Sequence, residues 1–189
     1  MINKLMSSSL GTSLLARLLL KLVASDSQWR ERLMDPRQIL HGAGIRAGQT
    51  VLEVGCGRGF FTLPATGMVG PAGCIYALDV TGAAVDYVAQ KVAAAGVTNV
   101  QAVKADGLAT GLPDAAMDLV LLFGVIPSPT LPLARLLPEM WRVLKPAGIL
   151  AVWTAVPGWS PQSVANSGLF DYASKTNAVY TFRKIAKSH

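Results

Sequence analysis

Residues 51–59 read VLEVGCGRG, a short apolar run that ends in an acid and a valine and is followed by three glycines at alternate positions. The apolar run is short enough to form a buried strand. Alternate glycines let the backbone turn tightly and approach a ligand where any Cβ would collide with it. The stretch therefore predicts a strand-to-helix turn that holds a nucleoside-bearing cofactor.

The spacing of the glycines narrows the choice of cofactor. A dinucleotide-binding turn requires Gly-x-Gly-x-x-Gly, which would place its third glycine at position 60, where this chain has Phe60. A nucleotide-phosphate loop ends in Gly-Lys-Ser or Gly-Lys-Thr, and no such tripeptide follows the turn. Neither of these phosphate-binding motifs fits residues 51–59.

Further apolar runs follow at regular intervals. Residues 75–79 (IYALD) end in Asp79, a carboxylate placed to accept hydrogen bonds from ribose hydroxyls. Residues 100–107 (VQAVKADG) form a third run, and residues 116–123 (AMDLVLLF) form a fourth that is nearly all apolar, as in a central strand. The order of these runs predicts a parallel sheet with its acids at one edge.

Together these segments resemble the class I S-adenosylmethionine-dependent methyltransferases, whose first motif is an acid, one residue, and Gly-x-Gly-x-Gly, as in residues 53–59. Residues 142–148 (RVLKPAG) are similar to that family's RVLKPGG segment, with Ala147 in place of a glycine in a turn remote from the cofactor. The resemblance implies a methyltransferase that uses S-adenosylmethionine, releases S-adenosylhomocysteine and needs no metal. It also implies a cofactor site formed by Glu53, Gly55, Cys56, Gly57, Gly59, Asp79, Val80, Asp106, Gly107 and Phe123, with Asp106 matching the family's adenine-contacting acid.

The expected fold is α/β, with a Rossmann-like sheet of seven mostly parallel strands, an antiparallel C-terminal hairpin and helices on both faces. Alternating strand and helix patterns support this expectation. The predicted strands lie near 50–54, 74–79, 100–104, 117–123 and 148–154, and the helices near 60–68, 82–95 and 131–144. Residues 169–173 and 178–185 are predicted to form the hairpin, with a turn at residues 175–177, and Gly96 is expected to end the second helix.

The composition fits one catalytic domain, residues 47–189, preceded by an N-terminal amphipathic helical cap, residues 1–46. A chain of 189 residues with 51% hydrophobic and 15% charged residues can bury a sizeable core, which excludes disorder. Two cysteines, Cys56 and Cys74, do not form a disulfide framework, so both are interpreted as reduced and the protein as cytoplasmic. Cys56 also suits the turn simply because it is small.

Net charge is concentrated at the two ends of the chain. Residues 1–46 carry +4, residues 47–159 carry −1 and residues 160–189 carry +3, which accounts for the formal net charge of +6. Lysine and arginine clusters interleaved with aromatic residues, which would favour nucleic acid as a partner, are absent from the sequence. The two histidines, His41 and His189, form no metal-binding spacing.

The N-terminal segment predicts a helix with a narrow polar stripe. Ser9, Ser13, Arg17 and Lys21 recur every four positions, and leucines fill most of the remaining surface. The segment is too short and too charged to span a bilayer. Two interpretations stay open. Residues 9–24 cap the cofactor cleft and bury their apolar face on the domain or on a second subunit of a homodimer, or they make peripheral contact with the inner face of a membrane.

The expected acceptor pocket leaves the substrate open. Residues 124–132 and 155–161, the loops after the fourth and fifth strands, contain no carboxylate, histidine or lysine, so the pocket is predicted to be apolar, with Trp153 or Trp159 as an aromatic wall. A lipid amine headgroup fits such a pocket. A quinone-like phenol also fits if His41 or Asp35 supplies a base. A catalytically silent cofactor-binding module and a membrane-peripheral assembly protein are the remaining alternatives, and no catalytic residue is assigned.

Overall fold

The computed structural model describes residues 34–186, which fold into seven strands and five helices. The strands are β1 Thr50–Val54, β2 Cys74–Asp79, β3 Val100–Lys104, β4 Met117–Phe123, β5 Leu144–Trp153, β6 Phe170–Thr176 and β7 Val179–Lys184. The helices are α1 Pro36–Gly42, α2 Thr62–Val69, α3 Gly82–Ala94, α4 Leu133–Val143 and α5 Gln162–Ala165. The predicted N-terminal cap lies mostly outside the described residues, and its membrane contact, residues 9–24, lies entirely outside them.

The strands form one sheet in the order β3-β2-β1-β4-β5-β7-β6. β1 to β5 are parallel, whereas β7 is antiparallel to β5 and to β6. This confirms the predicted fold class, including the antiparallel C-terminal hairpin. Because β2 and β4 lie on either side of β1, the connections that leave β1 and β4 diverge, and a cleft opens at the carboxyl ends of these strands.

Helices cover both faces of the sheet, which explains why the central strands are almost entirely apolar. On one face, Leu119 and Leu121 of β4 belong to a buried cluster with residues of α1 and α2. On the other face, Val120 and Leu122 belong to a cluster with residues of α4. The alternation of side chains along β4 therefore supplies two separate cores from one strand.

Several predicted boundaries differ from the observed ones, among them the start of β5 and the hairpin turn. β5 begins at Leu144, directly after α4, but residues 145–148 leave the ladder and regular pairing with β4 resumes at Ile149. The hairpin turn lies at Asn177 and Ala178, both with positive φ, one residue beyond the predicted turn. Gly96 follows the end of α3 with φ +64°, as expected. No helix within residues 34–186 has the length and apolar character needed to cross a membrane.

Candidate functional site

The glycine loop, residues 55–59, begins where β1 ends, at the divergence point of the sheet. Gly55, Gly57 and Gly59 have φ angles of +74°, +52° and +75°, in the region that favours glycine. A Cβ on Gly55 would collide with the side chain of Val125, and one on Gly59 would press on Val88 at 3.3 Å. These two glycines allow the loop to pack against its neighbours.

Gly57 is different because its position faces open space. Apart from Gly57 itself and its two chain neighbours, no described residue has an atom within 4 Å of the point where a Cβ would stand. A glycine with positive φ and no protein neighbour lets a ligand approach the backbone closely. Gly57 therefore marks the part of the loop against which a cofactor can lie.

Four of the five amide groups of the glycine loop donate hydrogen bonds within the protein. Gly55 N and Cys56 N donate to Leu78 O at 2.7 and 3.0 Å, and Gly59 N donates to Cys56 O at 2.9 Å. Gly57 N donates to Asp79 Oδ2 at 3.0 Å. Phosphate-binding loops direct such amides at the anion instead. This arrangement therefore suits a cofactor without a phosphate at the loop.

Asp79, at the end of β2, holds both the loop and its own turn. Its Oδ1 accepts from Thr81 N at 2.9 Å and from Thr81 Oγ1 at 2.8 Å, while Oδ2 accepts from Gly57. An ionised carboxylate has about four acceptor sites. One site of this partly exposed side chain is left for a ligand hydroxyl. Asp79 thus has a structural role beside the predicted ribose contact.

Glu53 is a buried acid with one oxygen unused. Its side chain is 3% exposed, and its Oε2 accepts from Thr62 Oγ1 at 2.6 Å. Oε1 has no hydrogen-bond partner within residues 34–186. Burial raises the pKa of Glu53 to about 7, the Thr62 hydroxyl opposes this shift, and the nearby Asp79 adds to it. A buried carboxylate oxygen without a partner calls for a donor or cation from a ligand.

Two predicted site residues have side chains in the core. The Cys56 thiol is buried with Val88 and Ala77 against α3, and this burial raises its pKa. The Phe123 ring is 5% exposed and packs edge-to-face on Phe61, with ring centroids 4.9 Å apart. Cys56 therefore contributes to the glycine loop through packing, and Phe123 packs on Phe61, which follows the loop.

The remaining predicted contacts follow β2 and β3. Val80 is 65% exposed, which is unusual for a large apolar side chain and fits the face of an aromatic base. Asp106 is exposed and accepts from Leu108 N through Oδ1 at 2.9 Å. A Cβ on Gly107 would meet Val54 at 2.9 Å. Gly107 thus permits close packing, while Val80 and Asp106 present groups to the surface near the cleft.

The residues expected around the acceptor lie in varied surroundings. Trp153 is 7% exposed and packs on Phe61 in the core, so little of its ring can face an acceptor. Trp159 keeps a partly exposed ring against Tyr180, with centroids 5.1 Å apart. Asp35 caps α1 by accepting from Arg37 N at 2.9 Å.

His41 is exposed at the end of α1 and lines a different cavity, none of whose lining residues belongs to the predicted cofactor site.

Several contacts could not be read from the sequence. The Thr62 hydroxyl that binds Glu53 lies at the first residue of α2, and the only local signal was its place soon after the third glycine. The Arg58 guanidinium stacks over the Tyr87 ring at 4.2 Å and fixes the outer side of the loop. Within residues 34–186, no group of three or more histidine, cysteine or acidic side chains could hold a metal ion.

Comparison with known proteins gives consistent results. A family model described as "Methyltransferase domain" matches residues 51–148, about half of the chain. The chain is 31% identical over 122 residues to a demethylmenaquinone methyltransferase of Geobacillus stearothermophilus. This match covers 64% of this chain and 51% of that protein. The chain is also 31% identical over 74 residues to an aklanonic acid methyltransferase of Streptomyces sp. strain C5, covering 39% of this chain and 34% of that protein. The chain spans about half the length, or less, of these curated relatives.

Comparison with solved structures extends the similarity to most of the chain. The structure of a SAM dependent methyltransferase from Aquifex aeolicus superposes with a TM-score of 0.67 and 27% sequence identity. The match covers 87% of this chain and 95% of that chain.

Proposed function

The chain belongs to the class I S-adenosylmethionine-dependent methyltransferases, and on that premise we propose that it methylates a small apolar acceptor, with a quinol-type ring as the favoured class. The observation that carries the proposal is the pairing of the open position at Gly57 with the unused Glu53 Oε1. An adenosyl cofactor with a cationic amino acid end fits both features. The open position at Gly57 lets the adenosyl cofactor approach the backbone closely, and Glu53 Oε1 can accept a hydrogen bond from the ammonium group.

The chain's own residues bind and orient the cofactor. Asp79 has an acceptor site for a ribose hydroxyl, and Val80 offers an apolar surface to the base. The carboxylate of Glu53 suits the α-ammonium group. When bound, S-adenosylmethionine supplies an activated methyl group and its leaving group. The protein then contributes mainly alignment, an effect worth up to about 7–11 kcal/mol in favourable cases.

The acceptor class follows from the loops beside the cleft. Residues 124–132 and 155–161 contain several prolines and apolar side chains but no carboxylate, histidine or lysine. Such loops favour an apolar ring over a charged metabolite. The demethylmenaquinone methyltransferases among the relatives carry a quinone in their names, which supports the same class of acceptor. A lipid amine headgroup is the second candidate, because aromatic rings attract ammonium groups and the Trp159 ring is partly exposed.

Two measurements test the proposal. Isothermal titration calorimetry should detect binding of S-adenosylhomocysteine to the full chain, and no detectable binding would overturn the assignment. The enzyme is then incubated with S-adenosylmethionine and either a reduced short-chain demethylated naphthoquinol or phosphatidylethanolamine in micelles, and products are analysed by mass spectrometry. A methylated quinol supports the favoured acceptor. Methylation of the amine alone replaces it with the lipid, and cofactor binding without either product contradicts both acceptor classes.

A further inference from the structure

A second cavity lies away from the glycine loop, on the face of the sheet that α1 covers. Its volume is about 750 Å³, and its walls come from the segment between α1 and β1, the beginnings of β4 and β5, and the β6–β7 hairpin. This volume falls in the range of small-molecule sites, about 300–1,000 Å³. None of the residues predicted to bind the methyl donor lines it.

The charges around this cavity are mostly positive. Arg46, Lys145 and Arg183 line it, and we call it the basic cleft after these three residues. His41 lines it as well, and Asp118 is the single acid among the lining residues. With His41 neutral, the lining carries a formal charge of +2.

Asp118 does not neutralise the two arginines. Its Oδ1 binds Lys145 Nζ at 2.8 Å, and its Oδ2 accepts from Thr50 N at 2.8 Å. Each oxygen of Asp118 therefore has a partner, at the start of β1 or of β5. Lys145 and Asp118 form a neutral pair, which leaves the charge of the cleft to the arginines.

Arg46 and Arg183 have exposed side chains that form no ion pair and no side-chain hydrogen bond with any residue between 34 and 186. Asp171 stands opposite Arg183 in the β6–β7 ladder, yet the two do not come within ion-pair distance. Two guanidinium groups that face one cavity without partners create a positive potential that attracts an anion. Guanidinium groups also match the geometry of phosphate oxygens.

The polar wall of the cleft adds groups that can donate to an oxyanion. Ser174 and Thr181 line the cleft, with their hydroxyl oxygens 2.9 Å apart, and Thr176 lies nearby on β6. The cavity is larger than a single phosphate requires. It therefore suits a phosphate group that is attached to an organic body.

We propose that the basic cleft binds a phosphate ester, either a soluble phosphate monoester or the phosphate of a lipid headgroup. The site is separate from the methyl donor site and does not depend on the proposed methyl transfer. Arg46 and Arg183 are its principal ligands. Ser174 and Thr176 are the hydroxyl donors on the facing wall.

The test compares matched arginine variants of the full chain. Binding of glycerol 3-phosphate is measured by calorimetry for the wild type, for the double variant Arg46→Gln/Arg183→Gln, and for Arg135→Gln. Arg135 is an exposed arginine on α4, on the other face of the sheet, so its variant controls for the loss of one positive charge away from the cleft. We expect the double variant to lose at least about tenfold in affinity, while Arg135→Gln stays within about twofold, since charge-assisted hydrogen bonds are lost only in the first.

A second arm distinguishes the two sources of phosphate. Co-sedimentation is measured with vesicles of phosphatidylglycerol and phosphatidylcholine, and with phosphatidylcholine alone. The cleft is assigned to a lipid headgroup if the double variant no longer binds the anionic vesicles and glycerol 3-phosphate does not compete with the vesicles for the wild type. Binding of glycerol 3-phosphate itself assigns the cleft to a free metabolite. If the double variant matches the wild type with both probes, or neither probe binds, the proposal is wrong. Unchanged S-adenosylhomocysteine affinity in the double variant keeps this result separate from the methyltransferase assignment.

Discussion

The surroundings of the glycine loop and the basic cleft differ in the charged side chains that they carry. Around the loop, three acids lie near the carboxyl ends of β1, β2 and β3, namely Glu53, Asp79 and Asp106. The cleft is lined by Arg46 and Arg183, whose side chains have no ion-pair partner among residues 34–186. An acidic site suits a cofactor with a sulfonium and an ammonium group, and a basic one suits an anion. The net charge of +6 for the whole chain therefore does not indicate the local charge of either site.

The two regions also differ in backbone conformation. Every residue with positive φ in the glycine loop is a glycine, while the wall of the basic cleft contains Ala147 at φ +59°. A non-glycine residue in this region costs roughly 1–2 kcal/mol. The loop is thus built without strain, and the cleft wall is not.

The largest expected effect concerns the acidic site and its pH dependence. Burial raises the pKa of Glu53 from 4.5 to about 7, so the folded protein holds a proton that the unfolded chain releases between these values. Stability therefore falls as pH rises from about 4.5 to about 7, by about 3 kcal/mol for this group. Urea unfolding of the wild type and of Glu53→Gln across this range should show the fall in the wild type alone.

Glu139 provides the control, because its pKa is shifted in the other direction. Hydrogen bonds from Arg142 and Thr110 lower the pKa of Glu139 from 4.5 to about 2, against a smaller opposing effect of burial. Its contribution to stability is present above pH 4.5 and is lost as pH falls toward 2. Glu139→Gln should leave the slope between pH 4.5 and 7 unchanged. Equal slopes for the wild type and Glu53→Gln would show that Glu53 is ionised in the folded protein throughout.

A substitution at Gly57 tests whether the open space in the glycine loop belongs to the cofactor. We expect Gly57→Ala to weaken S-adenosylhomocysteine binding by roughly 2–3 kcal/mol, because the new Cβ would stand where the ligand lies. Calorimetry measures the change. The matched control is Gly96→Ala, since Gly96 has φ +64° and also faces open space.

Both alanine variants carry the same backbone strain, so their melting temperatures should fall by similar amounts. Only Gly57→Ala should lose affinity. If the two variants bind S-adenosylhomocysteine equally well, the cofactor does not approach Gly57, and the acidic region is not the donor site.

Asp79→Asn is expected to weaken S-adenosylhomocysteine binding by about 1–2 kcal/mol. Asparagine has a single, uncharged side-chain oxygen. It cannot replace both Asp79 oxygens, which accept from Gly57 N and Thr81 N, and also offer a charged acceptor to the ribose. Asp86→Asn makes the same charge change at an exposed position on α3 and should have little effect. An affinity of Asp79→Asn within twofold of the wild type would leave the ribose contact without support.

The first four strands could be predicted from the sequence because each is a short local run with glycine, proline or a charged residue near its ends. Four strands, β1 to β4, lie at the residues expected. The glycine loop was equally local, since its spacing alone excluded a phosphate. α5 escaped prediction because four residues in a serine- and proline-rich segment carry no periodicity.

The basic cleft and the burial of Trp153 could not be predicted in this way. Arg46 and Arg183 are distant in sequence and line one cavity only because β7 pairs with β5 and α1 lies over this face. Trp153 faces Phe61 because it shares the side-chain alternation of Ala151 on β5, which points to the α1 and α2 core. Both outcomes depend on pairings between distant elements.

The smallest predicted effect tests the strain in the cleft wall. Ala147→Gly should raise the free energy of unfolding by about 0.5–1 kcal/mol, because glycine relieves the positive φ but gains freedom in the unfolded chain. Ala178→Gly, at φ +62° in the hairpin turn, should stabilise the protein by a similar amount, as Asn-Gly is a favoured pair for this turn. Neither change should alter S-adenosylhomocysteine affinity, which calorimetry can verify. A loss of phosphate ester binding in Ala147→Gly alone would mean that the strained backbone holds the cleft in shape, so that the difference between the two regions extends from charge to conformation.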